Sequence, residues 1–197
     1  MNRWRAAGAW VAVALALALG TLVLHGQAGL AWRWQAELAW AQPWRWITAA
    51  WVHGSALHET ANLAGCALVA AWGVAARCRA RAAAAWLLAW PLTHLALLAQ
   101  PDLHFYGGLS GVLHAGVAVG AWQLIRTPAP RQGGAPVPRW VGLAVMAGLV
   151  IKVLLESPWA GPTRQVPGWD IAIAPLAHAS GVLAGSLAAA VLRVRGT

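Results

Sequence analysis

Four polar side chains of the types that carry out nucleophilic acyl transfer occur in apolar stretches of this sequence. Ser110 supplies a hydroxyl, His178 supplies an imidazole that can accept a proton, and Asn62 and His58 supply side-chain N–H groups. A serine attacks a carbonyl when a base lies within hydrogen-bond reach and donors point at the oxygen that becomes negative. These residue types therefore provide a nucleophile, its base and the donors of an oxyanion site.

The four residues lie in segments long enough to cross a lipid bilayer. The chain has 197 residues, of which 60% are hydrophobic and 10% are charged, against roughly 25% charged in a soluble domain. A helix of about 20 residues crosses the hydrocarbon core of a membrane. The sequence therefore predicts an all-α, polytopic membrane protein with one domain, residues 1–197, and six spans at about 6–24, 56–76, 82–99, 110–125, 140–155 and 171–192.

The charges predict how these spans are oriented. The net charge is +9, but the basic residues are interleaved with the spans instead of forming one patch, which argues against nucleic acid as a partner. Alternating six spans puts all five acidic residues on one side, which by the positive-inside rule is the outer side, and both termini in the cytoplasm. The arginines divide ten against three: Arg3, Arg5, Arg77, Arg79, Arg81, Arg126, Arg131, Arg139, Arg193 and Arg195 inside, and Arg33, Arg45 and Arg164 outside.

Three predicted spans bring the polar residues to similar depths. At a rise of about 1.5 Å per residue, Asn62 lies about 9 Å below the outer surface and His178 about 10 Å below it. The fourth span covers only about 24 Å, so its first residue, Ser110, begins roughly 6 Å down. The preceding segment 107–109 is then non-helical backbone inside the membrane, which is tolerated only when it is packed in protein or lines a watery cavity. We expect a cavity that opens outward.

Small residues are expected to let two of these helices approach closely. Gly181 and Gly185 follow His178 at a small-xxx-small spacing, and Gly111 follows Ser110 directly. Such glycines are typical of helix packing in membrane proteins of many functions. They predict close contact between the fourth and sixth spans without indicating an activity by themselves.

The motifs together resemble the rhomboid proteases over all but the first span. The residues that carry the resemblance are Trp44-Arg45-Trp46, His53, His58 and Asn62 in His-x4-His-x3-Asn, Gly108-Leu109-Ser110-Gly111, and Ala177-His178 with Gly181 and Gly185. The compact form, the stretch from Tyr106 to His114, and Lys152 with Glu156 resemble the rhombosortase branch.

The resemblance implies an intramembrane serine endopeptidase without cofactor or metal. Ser110 and His178 would form a dyad without an essential carboxylate, and Asn62, His58 and backbone N–H groups around Gly108, Leu109 and Ser110 would hold the oxyanion. The implied partners are the bilayer and a membrane-anchored substrate, an exported protein with a C-terminal Gly-Gly-type motif, a hydrophobic helix and a basic end. Cleavage would occur at the periplasmic side of a bacterial inner membrane.

Several polar residues admit other interpretations. His114 lies one turn below Ser110 and is a rival base, although a base on a separate helix can approach the serine from the side. His94 is expected to be a packed or hydrogen-bonding residue of the third span. His53, His104 and His58 lack a zinc-ligand spacing such as His-Glu-x-x-His, so no metal site is predicted.

The outer loops carry further expectations. The tryptophan-rich segment 26–52 is expected to lie in the outer interface as part of an aromatic belt. Glu59 either contacts substrate or reaches the interface, and the second is favoured. Glu156 and Asp170 are interpreted as solvated loop charges that could also orient the last loop or bind a basic substrate segment. Cys66 and Cys78 lie at different depths, so no disulfide is expected between them.

Three functions compete with the sorting protease. A general rhomboid would cleave varied single-span membrane proteins. A non-catalytic rhomboid-like binding protein would lack the serine or the histidine, both of which are present here. A small transporter would use buried His and Asn side chains to line a pathway. The sequence leaves the oligomeric state and the substrate open.

Overall fold

The computed structural model describes residues 7–27, 29, 31–127 and 137–195. Arg3, Arg5, Ala6 and Arg131, which entered the topology prediction, lie outside these ranges. The described chain contains seven α-helices: α1 (Gly8–Val23), α2 (Arg45–Thr48), α3 (Ala56–Ala75), α4 (Ala80–Leu95), α5 (Ser110–Arg126), α6 (Arg139–Glu156) and α7 (Pro175–Val191). Two strands, β1 (Trp34–Gln35) and β2 (Phe105–Tyr106), form a small antiparallel sheet. Single 3-10 turns cover Ala36–Leu38, Ala49–Trp51 and Ala96–Ala99.

Helix α5 forms the centre of the bundle. It packs against α3, α4, α6 and α7, with its most extensive contact on α7. Its side chains are small and mostly buried, because glycine and alanine recur along it. In lipid the hydrophobic effect does not drive helices together, so helices associate through van der Waals contacts between closely packed backbones. The helix that begins with Ser110 is therefore held on all sides by its neighbours.

Glycines fix the contact between α5 and α7. A Cβ added to Gly111 would lie 2.6 Å from the carbonyl oxygen of Ala177, and one added to Gly181 would overlap the carbonyl oxygen of Gly111. A Cβ at Gly185 would meet the backbone of Ala115 in the same way. Larger residues at these positions would force the two helices apart. The glycine spacing on the sixth predicted span thus corresponds to a backbone contact with α5.

Each of the six predicted spans contains a long helix, with differences at the ends. The last helix begins at Pro175 instead of Ile171, because a proline fits the first turn of a helix and residues 171–174 are extended. Helix α4 begins at Ala80 and passes into the 3-10 turn Ala96–Ala99. The pattern of apolar residues located the helices, and local backbone chemistry decided their ends.

By length and hydropathy alone, fewer helices of the described chain qualify as membrane spans than the six that the sequence predicts. In the described chain, the segment Ala80–Ala99 is long and apolar enough to cross a membrane, with 50% of it buried. Gly8–Val23 and Pro175–Val191 are apolar but shorter. The hydropathy signal is therefore clearest in α1, α4 and α7.

In the tryptophan-rich segment 26–52, some of the described side chains are packed into the fold and others are exposed, as in an aromatic belt. Trp34 is fully buried and lies in β1 opposite Tyr106 of β2. The buried Arg45 guanidinium donates from Nε to Gln42 Oε1 and from an Nη to the carbonyl of Arg33, at 2.6 Å each. Trp40, by contrast, is 69% exposed. The segment joins the strand before Ser110 to the rest of the outer layer.

Candidate active site

The backbone before Ser110 is held in a conformation that glycine favours. Gly108 has a φ of +138°, where an L side chain would be strained. Its N–H donates to the carbonyl of Ala49 at 2.8 Å. A Cβ at this position would lie 2.6 Å from Cε1 of His58, so the imidazole of α3 packs directly on the chain before the serine. Gly107 and Gly108 thus let the chain reach the first turn of α5 without a steric conflict.

Ser110 and His178 are in hydrogen-bond contact. The Oγ of Ser110 lies 2.9 Å from Nε2 of His178. Ser110 is the first residue of α5 and His178 lies in the first turn of α7, so the close packing of these two helices sets the distance. His178 is 6% exposed. The structure therefore brings together the two residues that the sequence singled out as nucleophile and base.

A carboxylate lies on the far side of His178. Nδ1 of His178 is 2.6 Å from Oε2 of Glu156 at the end of α6. The other oxygen of this carboxylate accepts a bond from Lys152 Nζ at 2.5 Å. The interpretation of Glu156 as a solvated loop charge is wrong, because its side chain is only 15% exposed and bonded to the imidazole. The expected dyad without an essential carboxylate stays a prediction, and the structure adds Glu156 as a partner of the imidazole.

His114 has a different role from that of a rival base. Its Nδ1 donates to the carbonyl oxygen of Ser110 at 2.6 Å, one turn earlier in α5. Its ring stacks on that of His178, with centroids 4.3 Å apart and planes 13° apart. Of the two histidines, it is His178 that contacts the serine hydroxyl, so the geometry favours His178 over His114 as the base.

The residues expected to hold an oxyanion come mainly from α3. His58 and Asn62 lie one turn apart and are buried. Within the described chain, Asn62 Nδ2 and His58 Nδ1 have no hydrogen-bond partner. Buried donors without a partner are uncommon in folded proteins, and a catalytic or binding role is one explanation for them. Of these two residues, His58 lines the cavity beside Ser110, and Asn62 lies one turn further along α3.

The N–H of Gly108 is not among the open donors. It is bonded to Ala49, and the carbonyl of Gly108 accepts from the hydroxyl of Tyr106. Leu109 is fully buried, and its carbonyl accepts from Leu113 N–H at the start of α5. The Gly108 N–H is therefore already paired, contrary to the expectation that it would hold the oxyanion.

A cavity of about 100 Å³ lies beside the serine. His58, Tyr106, Ser110 and His178 line it, together with residues 171–174 of the loop before α7. Ser55 Oγ, at the start of α3, donates to Asp170 Oδ1 at 2.8 Å. Asp170, which the sequence left as a solvated loop charge, thus ties the loop to the rim of the site.

Tyr106 borders the site and was not singled out for a role by the sequence. Its hydroxyl donates to the Gly108 carbonyl at 3.1 Å. Burial raises the pKa of Tyr106, so it stays a neutral donor. The signal available in the sequence was that Tyr106 is the only tyrosine of the chain and precedes the glycine pair. It fixes the backbone turn from which Ser110 projects.

The other histidines, His94, His53 and His25, do not contact Ser110 and have partners or packing of their own. His94 is fully buried and its Nδ1 donates to the carbonyl of Trp46, which confirms its expected packing role. Burial lowers the pKa of His53 to about 4. His25 pairs with Glu59 at 2.7 Å, a contact that the interface interpretation of Glu59 did not foresee. In the described part of the chain, no group of three His, Cys, Asp or Glu is placed to hold a metal ion.

The fold and site define a helical-bundle protein in which Ser110, His178 and Glu156 are in contact, next to the loop that precedes α7. A family model, the Rhomboid domain, matches residues 41–195. The chain belongs to the rhomboid family, which is membrane-embedded and generally consists of intramembrane serine proteases. Comparisons with curated proteins and with solved structures give no match.

Proposed function

We propose that this protein is an intramembrane serine endopeptidase with Ser110 as nucleophile and His178 as base. The observation that carries the proposal is the 2.9 Å contact between Ser110 Oγ and His178 Nε2. General-base catalysis requires heavy-atom distances of roughly 2.6–3.2 Å. The buried cavity beside this pair supports access by a peptide bond.

The geometry supports the usual two-step acyl transfer. Ser110 Oγ attacks the substrate carbonyl while its proton passes to His178 Nε2. The imidazolium then gives this proton to the leaving amine as the C–N bond breaks, which leaves an acyl-serine. In the second step His178 takes a proton from a water as the water oxygen attacks the ester carbonyl. The C–O bond to Ser110 then breaks, the imidazolium returns the proton to Ser110 Oγ, and the acid product leaves.

Three kinds of donor are available to the oxyanion. Asn62 Nδ2 and the His58 ring come from α3, and the N–H of Ser110 points out of the first turn of α5, where helix N–H groups have no intrahelical partner. The positive end of the α5 dipole adds to the same effect. Donors preorganised in a buried site stabilise the tetrahedral intermediate more than the ground state.

The placement of charge supports a six-span arrangement in a bacterial inner membrane. In this arrangement both termini face the cytoplasm, and the cavity at the start of α5 faces the periplasm. Arg77, Arg79, Arg81 and Arg126 lie at the ends of helices opposite to the end that carries Ser110 and Glu156. The short α5, preceded by non-helical backbone, then begins beneath the membrane surface.

The substrate class that fits best is an exported protein with a C-terminal Gly-Gly-type sorting tail. The cavity beside Ser110 is small, about 100 Å³, which suits a substrate without bulky side chains at the scissile bond. Lys152 with Glu156 and the Tyr106 to His114 stretch are the features shared with the rhombosortase branch. A general rhomboid that cleaves single-span membrane proteins is the second candidate, and the family match favours it equally.

The activity can be tested with a fluorophosphonate probe on purified protein in detergent. We expect labelling of wild type and none of Ser110→Ala or His178→Ala, because the hydroxyl is activated only by the pair. Ser186→Ala and His104→Ala are matched controls on the same residue types outside the site. A folded wild type that neither a fluorophosphonate nor a small isocoumarin labels would exclude the protease and favour a binding or transport role.

The substrate class can be tested by co-expression. Two reporters would carry the same hydrophobic helix and basic end, one preceded by Gly-Gly and one by Leu-Leu. Cleavage that requires Gly-Gly and Ser110 supports the sorting enzyme. Equal cleavage of both reporters supports the general rhomboid.

A further inference from the structure

We propose that Glu156 is a positioning residue that turns the Ser-His pair into a Ser-His-Glu triad, with Lys152 holding the carboxylate. The inference rests on the proposed serine-protease function and adds a group that a dyad does not require. Glu156 acts through His178 and does not touch the substrate. Its role is to fix the tautomer and the orientation of the imidazole.

The contact between Glu156 and His178 defines which ring nitrogen carries the proton. Nδ1 of His178 lies 2.6 Å from Glu156 Oε2 and 3.5 Å from Lys152 Nζ. The carboxylate is much the closer group and can only accept a hydrogen bond, so the geometry assigns the proton to Nδ1. Nε2 of a neutral imidazole is then unprotonated and can accept from Ser110 Oγ. The base is therefore held in the one tautomer that can take the proton of the serine.

Lys152 fixes the carboxylate in this position. It lies one turn earlier on α6 and its Nζ donates to Oε1, the oxygen that His178 does not use. The Lys152 side chain is 47% exposed, so its ammonium remains partly in water while the carboxylate is mostly covered. The arrangement orients both carboxylate oxygens and leaves neither free to rotate toward the loop.

Helix stability alone does not account for a glutamate at this position. Glu156 is the last residue of α6, where the negative end of the helix dipole disfavours a carboxylate. The helix ends at Ser157, which has a φ of +54°, and Arg164 donates to the carbonyl of Leu155 at 2.6 Å. The end of α6 is thus fixed by backbone contacts, and the carboxylate is directed to His178.

The chemical consequence appears when the proton moves. As Ser110 Oγ forms its bond to the substrate carbonyl carbon, its proton goes to His178 Nε2 and the ring becomes an imidazolium. Glu156 stays ionised and opposes this new positive charge at 2.6 Å. In triads of this type the carboxylate is not protonated but stabilises the imidazolium and its tautomer.

The first test compares labelling rates of charge-altering variants. Glu156→Gln keeps the size but can donate its amide N–H to Nδ1, which forces the proton onto Nε2. We expect the fluorophosphonate labelling rate constant to fall by about 10²- to 10⁴-fold. Glu156→Asp should restore part of the rate, and Lys152→Met should lower it by less than Glu156→Gln does.

Glu59→Gln is the matched control. Glu59 has a side chain 13% exposed and also pairs with a histidine, His25, but it lies outside the triad. A wild-type rate in Glu59→Gln, with a lowered rate in Glu156→Gln at equal thermal stability, supports a positioning role. Equal rates in wild type and Glu156→Gln would overturn the proposal.

The second test reads the tautomer and does not depend on activity. In protein labelled with 15N-histidine, the His178 signals are identified by their loss in His178→Gln. We expect a protonated Nδ1 and an unprotonated Nε2 in the wild type, and the reverse in Glu156→Gln. A His178 tautomer that does not change in Glu156→Gln would contradict the inference.

The two tests separate this inference from the proposed function. If labelling depends on Ser110 but not on Glu156, the protease stands and the triad falls. If the wild type is not labelled while the tautomer responds to Glu156→Gln, the protease falls and the Glu156–His178 coupling stands.

Discussion

The two sides of the cavity differ in how completely their polar groups are paired. On the side of α5, α6 and α7, a continuous set of contacts runs from Ser110 through His178 and Glu156 to Lys152. On the side of α3, the Asn62 amide and the His58 Nδ1 are buried without a partner in the described chain. Ser110 and His178 are therefore already in contact in the structure, whereas these polar atoms of α3 lack a hydrogen-bond partner.

This contrast has a physical cost and a use. A buried N–H without a partner costs about 1–3 kcal/mol, which the close packing of α5 and α7 must offset. An oxyanion would satisfy the same donors and recover that energy in the transition state. Such differential binding accelerates a reaction, while equal binding of substrate and transition state does not.

After the loss expected in Glu156→Gln, removing an open donor is expected to give the largest effect. Asn62→Ala should lower kcat by about 10²–10³-fold with KM little changed, because an oxyanion donor acts mainly in the transition state. Asn62→Asp is a control of equal size that lacks both N–H groups and should be equally slow. Steady-state cleavage of a fluorogenic peptide checks it. Wild-type kcat in Asn62→Ala would show that the two sides do not divide the work as described.

Separating the packed helices comes next. Gly181→Ala places a Cβ against the Gly111 carbonyl, so α5 and α7 must move apart and Ser110 must leave His178. We expect about a 10²-fold loss of labelling rate, since a shift of about 1 Å at reacting groups has that effect. Gly148→Ala on α6 is the control, because nothing lies within 4 Å of its added Cβ. Equal labelling of both variants would contradict the packing argument.

A smaller effect is expected where the chain turns into α5. Tyr106→Phe removes the bond to the Gly108 carbonyl, worth about 1 kcal/mol. A drop of about fivefold in labelling rate should follow, because a 1 kcal/mol change corresponds to roughly that factor. The larger change Tyr106→Leu should reduce the rate further. If Tyr106→Phe lowers neither rate nor stability, the hydroxyl does not hold the turn.

The smallest effect concerns stability and pH at the rim of the α3 side. His53 has a pKa of about 4 because it is buried and lies beside His58, against about 6.5 in the unfolded chain. Since the folded value is the lower one, its contribution is present above pH 6.5 and is lost as the pH falls toward 4. We expect the Tm to drop over this window, and less so in His53→Phe. An identical pH dependence in both would assign the loss to other groups.

The sequence predicted the elements and the reacting pair for a simple reason. Depth along a helix follows from residue number, so Ser110, His178 and Asn62 could be placed at one level before the helices were packed. The glycines of α5 and α7 indicated which helices meet. These are local or one-dimensional properties; the structure agrees with the meeting of α5 and α7 and the contact between Ser110 and His178, and the common depth stays a prediction.

Contacts made where helices end could not be read in this way. The approach of Glu156 to His178 depends on how α6 stops at Ser157 and how the following loop returns, and neither has a period in the sequence. The pairing of His25 with Glu59 and of Trp34 with Tyr106 has the same origin. Side-chain partners across loops are set by tertiary packing, which propensity does not encode.

The assignment of Ser110 as nucleophile and His178 as base is tested most directly by locating the covalent adduct of a fluorophosphonate. Wild-type protein would be treated with a fluorophosphonate, digested and analysed by mass spectrometry to identify the modified residue. We expect a single phosphonylated site at Ser110, and we expect this modification to be absent in His178→Ala while that variant remains folded. Modification of another serine, or labelling of Ser110 that is unchanged in His178→Ala, would contradict the assignment of nucleophile and base.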